Sequence, residues 1–528
     1  MKKLVNLRIP VLLACFLAFG TAVGYVFHYF SIDLLWITAT VPTVAVILIF
    51  VRKGAHVRVT IVLTAVIFIV GAVATYIKID NFGKSQIADN TYCSISATVS
   101  DKSANARGEY IILTNITAND TKINGKMIAY LGEFYGDFCD IGYTVQFKTA
   151  INKNRTFEYG KSNYFLAENV KYNCYVNSGV RAEEGFSLFG SIRIAIRNML
   201  FENLDGETAA IAYGMLTGNT QYIEDGALQN FRYGGIAHIF AVSGLHIGIV
   251  YGLFYFLSKR LRLNRWATIC LCLLPVFFYV GICGFTLSSV RAAVMCTVSL
   301  FARKFHKKYD GLNSLALSII IILLINPLNM LSVGFQLSVC AVGGIVLLSS
   351  RLTCRFKKVP RKIAKPVGVA LGAQAGTLPV MLTNFGYISG AGLLLNIIIV
   401  PILSIQFIVM FISTVIALIV PFASSVIIPY SVLPLEFIVS FFIDSGFENA
   451  LIKGFGAGLF LPVYYIGLAI LSDKINMKLL TRIIALGCTV VILISYVLVK
   501  MFIPFSDFTV AVSAYYNGGE VLIKSHLY

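Results

Sequence analysis

The sequence predicts a polytopic α-helical membrane protein of about 11–13 spans, with a small extracytoplasmic β-barrel domain inserted among the spans. Of the 528 residues, 57% are hydrophobic and only 13% are charged, whereas soluble domains carry about 25% charged residues. Apolar runs of about 20 residues, long enough to cross a hydrocarbon core as helices, recur along most of the chain. Residues 79–190 differ, because they show the short alternating segments that are typical of β-strands.

Thirteen apolar runs are assigned as spans. The region 397–444 is the ambiguous part of this assignment, because no charged residue separates its two spans and several prolines interrupt the helical pattern. Eleven spans with a re-entrant pair in this region is therefore the alternative. The thirteen predicted spans are 9–30, 34–51, 59–77, 236–257, 266–286, 288–302, 311–326, 333–350, 366–383, 390–417, 426–443, 456–472 and 483–503.

Lysine and arginine are unequally distributed between alternate loops. If the N-terminus lies in the cytoplasm, the short loops on that side hold 24 Lys and Arg, and those on the other side hold one, Lys453. Cytoplasmic loops of membrane proteins collect such residues, so we expect the N-terminus to lie in the cytoplasm. The asymmetry also explains the net charge of +18 without a nucleic-acid partner. The basic loops are 2–8, 52–58, 259–265, 303–308, 351–365 and 474–482.

The first apolar run could be mistaken for a cleaved signal, because the residues before Cys15 faintly resemble a lipoprotein cleavage site. The run continues unbroken to Phe30, however, which is longer than the apolar region of a signal peptide. We therefore expect an uncleaved membrane span here.

The segment 79–190 is predicted to be a small β-barrel or sandwich outside the membrane. It is nearly neutral, with 11 Lys and Arg against 12 Asp and Glu, and turn residues separate its alternating stretches. It also holds three cysteines, Cys93, Cys139 and Cys174. Two of them could form a disulfide outside the cell, or all three could be buried free thiols. The predicted strands are Tyr92–Val99, Glu109–Leu113, Lys126–Leu131 and Tyr143–Thr149.

Aromatic residues are frequent in the same segment. Bases of single-stranded nucleic acid stack on such rings in oligonucleotide-binding barrels, but aromatic residues are also ordinary components of strands. Both interpretations stay open at this point. The candidate stacking residues are Tyr110, Tyr135, Phe157 and Tyr159.

Residues 191–235 are predicted to form amphipathic interfacial helices, and the next apolar stretch contains two histidines, a serine and several glycines. Polar groups at membrane depth usually mark a path or a site. Ser243 and His246 could be a nucleophile and its base. His238 and His246 could bind a metal, although on one helix they would lie about 80° apart. The interpretation we favour is a helix broken at Gly244 whose polar groups line an aqueous cavity.

Further polar residues lie within later predicted spans. Each could join neighbouring helices, and an arginine can extend to the interface. Together, on separate spans, they predict a polar passage through the centre of the domain. These residues are Arg291, Gln336, Ser338, Gln374 and Asn396.

Several segments in this region resemble the motifs of the ComEC family of competence proteins, the inner-membrane channels of bacterial DNA uptake. The resemblance is strong over about 207–401 and weaker over 79–180, where the segment resembles the family's oligonucleotide-binding-like domain. The matching segments are Gly235–His246, Ser289–Ala292, Asn326–Leu328, Val333–Ser338, Ala373–Gln374, Leu378–Pro379 and Asn396 with Pro401.

The resemblance implies import of single-stranded DNA, with an outside DNA receptor and a cytoplasmic helicase-like ATPase as partners. Fuller family members end in a metallo-β-lactamase-like nuclease domain, whose His-x-His-x-Asp-His motif this chain lacks. We therefore expect no catalytic residues, no metal, no cofactor and no enzymatic activity. A membrane-embedded hydrolase using Ser243 and His246, or a small-solute transporter, are the alternative functions.

The resulting organisation has five parts. The membrane-spanning parts are separated by the β domain and by the interfacial helices, and the final segment faintly resembles the start of the nuclease domain. The parts are 1–78 (three spans), 79–190 (extracytoplasmic β domain), 191–235 (interfacial helices), 236–503 (polytopic channel domain) and 504–528 (extracytoplasmic tail).

Overall fold

The computed structural model describes residues 9–29, 32, 41, 55–84, 86–105, 108–131, 140–154, 164–176, 179–356, 358–444, 451–453 and 461–472. The predicted span 483–503 and the tail 504–528 lie outside these residues, as does almost all of the predicted span 34–51. The candidate residues Tyr135, Phe157, Tyr159 and Cys139 also lie outside them.

The described part of the chain is mainly helical. The long helices correspond in order to the predicted apolar runs, and 3₁₀ turns lie at Ala237–Ile239, Pro327–Leu331 and Pro421–Ala423. The helices are α1 Ile9–Tyr29, α2 Ala55–Gly83, α3 Tyr164–Ala167, α4 Leu188–Asn203, α5 Gly206–Thr217, α6 Asp225–Tyr233, α7 Gly244–Arg260, α8 Arg265–Ile282, α9 Leu287–Lys304, α10 Gly311–Ile325, α11 Val333–Arg355, α12 Arg361–Phe385, α13 Gly392–Ile419, α14 Ser424–Asp444 and α15 Leu461–Leu471.

Seven helices in the described residues are long and apolar enough to cross a membrane: α1, α2, α8, α11, α12, α13 and α14. The shorter α10 is also strongly apolar. Helices α13 and α14 are both of spanning length, so the region 397–444 forms two full helices rather than a re-entrant pair. Their internal prolines, Pro401, Pro429 and Pro434, are tolerated because neighbouring groups in a bundle can satisfy the freed carbonyls.

The inserted domain is a closed five-stranded barrel. Five of its strands form the ring β1-β2-β4-β6-β5, which closes through the β1–β5 pairing. All pairs in the ring are antiparallel except β4–β6, which is parallel. The strands are β1 Thr91–Asn105, β2 Gly108–Ala118, β3 Thr121–Lys122, β4 Lys126–Leu131, β5 Thr144–Lys153, β6 Val170–Val176 and β7 Arg181–Glu183, and a separate pair is formed by β8 Tyr387–Ser389 and β9 Leu451–Lys453.

Alternation of side chains along the strands builds the barrel's interior. On β5 every second residue from Val145 to Ile151 is buried or nearly so, because successive side chains of a strand point to opposite faces. The core contains Ile95, Ile111 and Tyr172 among other apolar residues. The four predicted strand segments correspond to β1, β2, β4 and β5 and are confirmed, apart from Tyr143, which precedes β5. Strand β6 was not predicted.

Two segments differ from their sequence-based predictions. The helix predicted to begin at residue 236 begins at Gly244 instead, after a non-helical segment with one 3₁₀ turn. Helix α5 is not amphipathic, because all of its residues from Thr208 to Thr217 are buried. A helix that is buried on every side belongs to a protein core, so α5 is a central element rather than an interfacial one.

Small residues allow two helix pairs to approach very closely. A Cβ added at Gly20 of α1 would lie 2.2 Å from the Phe68 carbonyl oxygen of α2. Likewise, a Cβ added at Gly376 of α12 would lie 2.1 Å from the Cys340 carbonyl oxygen of α11. Such contacts are the usual basis of helix association in lipid, where helices gain no hydrophobic advantage from pairing.

The barrel is fixed to one end of the helical domain by contacts on two sides. On one side, Arg193 of α4 forms an ion pair with Asp101 of β1 and donates to the carbonyl of Ile282 at the end of α8. On the other side, Asn326, after the end of α10, donates to the carbonyl of Ala167 at 3.4 Å. The basic loops 259–265 and 303–308 lie at the opposite ends of these membrane helices.

Candidate functional site

The segment 234–243 is a non-helical break between α6 and α7, and side chains from two other helices hold it at both ends. Near its start, Asn396 of α13 donates from Nδ2 to the carbonyl of Gly235 at 3.4 Å. Gly235 has φ +73°, a conformation that favours glycine, and an added Cβ would lie 2.8 Å from Gly392 Cα. Near its end, Ser288 of α9 donates to the carbonyl of Val242 at 2.7 Å.

Ser243 and His246 form the N-terminal cap of α7. The N–H of Leu245 donates to Ser243 Oγ at 3.2 Å, and the N–H of Ser243 donates to His246 Nδ1 at 3.3 Å. This reciprocal arrangement satisfies backbone N–H groups that the first turn of a helix leaves unpaired. The two side chains are therefore held by the backbone of the cap and are not hydrogen-bonded to one another as a nucleophile and base would be.

A small cavity lies beside this cap, between the break and α13. Its lining includes His238, Ser243 and His246, together with Ser404 of α13. His246 is buried and its ring lies 4.4 Å from that of Phe407. The sequence argument that placed the two histidines about 80° apart on one helix was wrong, because no continuous helix joins them: a 3₁₀ turn ends at Ile239 and α7 begins at Gly244.

Arg291 lies in the first half of α9, directly against the start of α7. A Cβ added at Gly244 would lie 2.9 Å from Arg291 Nη2, so a larger residue here would require the guanidinium to shift. Arg291 is 4% exposed and donates from Nη1 to the carbonyl of Ser338 on α11. Its Nε has no hydrogen-bond partner, and no carboxylate pairs with it, among the described residues.

The other intramembrane polar residues differ in their positions. Asn396 joins the break, and its Oδ1 is buried without a partner among the described residues. Ser338 joins the site through its backbone carbonyl. Gln336 points elsewhere, because its side chain donates to the carbonyl of Met330 at 2.9 Å in the preceding 3₁₀ turn. Gln374 is half-buried on α12 and does not line this cavity.

On the barrel, three tyrosines form a ladder across neighbouring strands. Tyr110 of β2 is paired with Tyr130 of β4, which is paired with Tyr175 of β6. The ring centroids of Tyr130 and Tyr175 are 5.0 Å apart in a stacked arrangement, and those of Tyr110 and Tyr130 are 5.9 Å apart. Tyr175 is 46% exposed and forms the accessible end of the ladder.

The barrel cysteines do not form the disulfide that could have joined Cys93 to Cys174. Both are buried free thiols in the barrel interior. Cys174 Sγ lies 3.6 Å from Met127 Sδ, and burial raises the pKa of Cys174 to about 12. These two residues therefore act as small apolar core side chains.

Sequence reasoning missed several residues of the site. Ser288 lies immediately before the recognised motif Ser289–Ala292, and Ser404 follows Pro401 by three positions. Tyr130 and Tyr175 were not singled out, because strand pairing that brings distant residues together leaves no local signal. Within the described ranges, no three His, Cys, Asp or Glu side chains are grouped so that they could hold a metal ion.

Comparison with known proteins places the site in a recognised family. The family model described as competence protein matches residues 215–472, which include the break, Arg291 and Asn396. The chain is 29% identical over 269 residues to ComE operon protein 3 of Bacillus subtilis, covering 50% of this chain and 34% of that protein. It is 25% identical over 217 residues to Recombination protein 2 of Haemophilus influenzae, covering 38% of this chain and 27% of that protein.

The aligned region is thus about a third or less of each of these two relatives. No solved structure gives a significant match to the chain. The resemblance to competence proteins that the motifs between residues 235 and 401 indicated is confirmed by these matches, because residues 215–472 match the competence protein family and both relatives align with the chain.

Proposed function

We propose that this chain forms a membrane channel that imports single-stranded DNA during natural transformation. The observation that carries the proposal is the buried guanidinium of Arg291, which lies against the non-helical break and has no carboxylate partner in the described part of the chain. A charge buried in a membrane domain is costly and usually functional. An uncompensated cation beside a polar break suits a polyanion that passes and leaves.

The groups around Arg291 have unused hydrogen-bonding capacity. Arg291 Nε and Asn396 Oδ1 are buried without protein partners among the described residues, and buried polar atoms normally have a partner in protein or water. Hydroxyl and imidazole groups line the adjacent cavity. These features support a hydrated path for nucleic acid, in which neutral polar groups and a single cation bind phosphates weakly enough to release them.

The position of the barrel supports an orientation with the barrel outside and the N-terminus in the cytoplasm. Helix α8 begins at Arg265 in a basic loop, and its last turn contacts the barrel through Arg193. Since cytoplasmic loops are the basic ones, the barrel belongs on the other side. The break at 234–243 is on the barrel's side of the domain, because α7 runs from it to the basic loop at 259–265.

The tyrosine ladder supports a role for the barrel as the first contact with the DNA strand. Bases stack on aromatic side chains without regard to sequence, and closed small barrels commonly bind oligonucleotides on one face. In this proposal an outside receptor delivers DNA to the barrel, and a cytoplasmic helicase-like ATPase draws the strand inwards. The capping role of Ser243 and His246 favours this function over the hydrolase.

The proposal is tested by complementation. A competent host that lacks its own channel is given this chain, and uptake of labelled DNA into a nuclease-protected form is measured together with the abundance of the chain in the membrane. We expect protected label only in cells that carry the chain. Absence of uptake at normal membrane abundance, with the host's remaining uptake machinery present, would contradict the proposal.

The barrel's part is tested separately by binding. The full chain in nanodiscs is titrated with a fluorescent single-stranded oligonucleotide, and Tyr175→Ala is compared with Tyr92→Ala. Tyr92 is the matched control, since it is a 69% exposed barrel tyrosine outside the ladder. We expect Tyr175→Ala to weaken binding by roughly 5- to 100-fold, as for the loss of one stacked base. Equal effects of both substitutions would reject the ladder as the binding platform.

A further inference from the structure

A groove lies between the end of α9 and the beginning of α10, at the end of the helical domain opposite the barrel. Its volume is ≈ 470 Å³, which is in the range of small-ligand sites. Its lining includes an apolar wall of Phe301, Phe305 and Leu317. Asp310 and two exposed lysines, Lys307 and Lys308, also line the groove and form what we call its rim. The groove is thus amphipathic, with apolar side chains and a charged rim.

The turn that carries the two lysines has a defined backbone. His306 has φ +55°, and the N–H of Lys307 donates to the carbonyl of Ala302 at 2.8 Å, which is the usual closure of a helix that ends in a left-handed residue. The carboxylate of Asp310 then caps α10 by accepting from Leu312 N at 3.0 Å and Asn313 N at 3.4 Å. The lysines are therefore held at the rim by capping structures on both sides.

The cations around the groove are not equivalent. Arg303 lies over the ring of Tyr255 at 4.5 Å, and the ammonium of Lys304 lies over the ring of Trp266. Lys307 and Lys308 are exposed, and neither forms a salt bridge with a described residue. These two lysines are consequently the groups at the rim that can receive an anion.

The apolar wall distinguishes among the anions that could bind. Phe305, directly after α9, is 61% exposed, and Leu317 of α10 is 40% exposed. In a membrane domain, exposed apolar side chains of this kind contact acyl chains. A free phosphate or a DNA backbone would leave this wall without a partner. A phospholipid satisfies both parts, because it joins a phosphate to an acyl chain at the depth where basic residues meet the headgroups.

We propose that the α9–α10 groove binds one anionic phospholipid. Its phosphate lies between Lys307 and Lys308, and one acyl chain lies along Phe301, Phe305 and Leu317. Two lysines at a membrane surface each strengthen binding of an anionic lipid about fivefold. The carboxylate of Asp310 opposes the anion, but its charge is partly satisfied by the helix N-terminus that it caps.

The test is native mass spectrometry of the full chain in detergent, to which phosphatidylglycerol or phosphatidylcholine has been added. The fraction of the chain that retains a bound lipid after release from the detergent is measured. We expect phosphatidylglycerol to be retained in preference to phosphatidylcholine. The double substitution Lys307→Gln/Lys308→Gln should weaken its retention roughly 25-fold, from about fivefold for each lysine. The charge-matched control Lys362→Gln/Lys365→Gln, on exposed positions of α12 outside the groove, should leave retention nearly unchanged.

A second variant keeps the charge and fills the groove. Leu317→Trp should reduce retention of phosphatidylglycerol while the two lysines stay in place. If the groove double variant and the control double variant lose phosphatidylglycerol retention equally, the lipid is held by general attraction to the basic surface, and the proposal is overturned. Displacement of the lipid by equimolar inorganic phosphate or by a single-stranded oligonucleotide would overturn it as well, because those ligands do not need the apolar wall.

Discussion

Arg193 Nη1 lies 3.1 Å from Asp101 Oδ1, and this ion pair joins the barrel to the helical domain. The arginine side chain is only 8% exposed, whereas that of Asp101 is 46% exposed. The same guanidinium also donates from Nε to the carbonyl of Ile282 at 2.6 Å. One side chain of α4 therefore connects β1 of the barrel with the end of a membrane-spanning helix.

We expect this pair to stabilise the docking of the barrel. Asp101→Asn leaves a buried guanidinium partly unpaired, which destabilises a protein, but the exposure of the carboxylate moderates the effect. The coupling energy in a double-mutant cycle of Asp101→Asn and Arg193→Gln should be about 1 kcal/mol. The cycle is measured by denaturant unfolding of the reconstituted chain. The exposed pair Asp80–Lys84 is the control, and equal coupling in both pairs would contradict the prediction.

Ser243 should matter as a helix cap and not as a nucleophile. Because its Oγ accepts from Leu245 N, Ser243→Ala should lower the free energy of unfolding by about 1 kcal/mol, while Ser243→Thr should retain most of it. Both variants are compared with the parent chain by thermal unfolding in nanodiscs. A fluorophosphonate probe should not label the chain at this position, and covalent labelling of Ser243 would instead favour the hydrolase.

Much of the fold could be predicted from the sequence because its signals are local. The length of each apolar run predicts its helix, and side-chain alternation predicts β1, β2, β4 and β5. Strand β6 alternates as well, but this segment was not recognised as a strand. The closed ring depends on the β1–β5 and β4–β6 pairings, which join distant segments and have no signature in a single sequence.

The candidate site was predicted in part. The polar composition of the segment around Gly244 predicted a broken helix, and α7 indeed begins at that residue. The predicted angle between the side chains of His238 and His246 was wrong, because it assumed one continuous helix, whereas residues 240–243 are not helical. Gln336 and Gln374 could not be separated from Arg291 by sequence, since a polar residue in a span looks the same whether it faces a cavity or a neighbouring turn.

Cys174 should report unfolding of the barrel. The thiolate is the reactive form, and burial raises the pKa of Cys174 to about 12, so alkylation in the folded chain should be very slow at pH 8. Since ionisation opposes folding, the barrel should lose stability as pH rises above the ordinary value of 9.0. The rate of maleimide labelling is measured in a chain whose only cysteine is Cys174. The reference is a second chain whose only cysteine is introduced at an exposed position by Thr121→Cys. Comparable rates at pH 8 would contradict the prediction.

The orientation can be checked on two exposed positions. Thr121 lies on the barrel and Lys358 lies in the basic loop between α11 and α12. With single cysteines at these positions, a membrane-impermeant maleimide added to intact cells should label Thr121→Cys and leave Lys358→Cys unlabelled until the membrane is permeabilised. The reverse labelling pattern would contradict the proposed orientation, because the barrel would then lie in the cytoplasm and the basic loops outside, against the loop-charge rule.

Arg291 should be needed for DNA passage more than for folding. Arg291→Gln removes the charge but keeps a hydrogen-bond donor for the Ser338 carbonyl. It also relieves the cost of burying the charge, which is at most about 2.5–3.5 kcal/mol, the insertion-scale value for an arginine at a helix centre. Membrane abundance should therefore stay near normal. Loss of the positive potential should lower DNA uptake per molecule by roughly tenfold or more, measured as nuclease-protected label divided by immunoblot signal.

Gln406 supplies the matched contrast for Arg291. It is a buried polar residue of α13 that donates to the Ser431 carbonyl of α14 at 2.6 Å, so it joins two helices. Gln406→Leu should lower membrane abundance and leave uptake per molecule unchanged, the opposite of Arg291→Gln. If Arg291→Gln instead reduces abundance with normal uptake per molecule, Arg291 is also helix-joining and the DNA path must lie elsewhere. The two ratios, measured in the same host, separate a residue of the path from a residue of the scaffold.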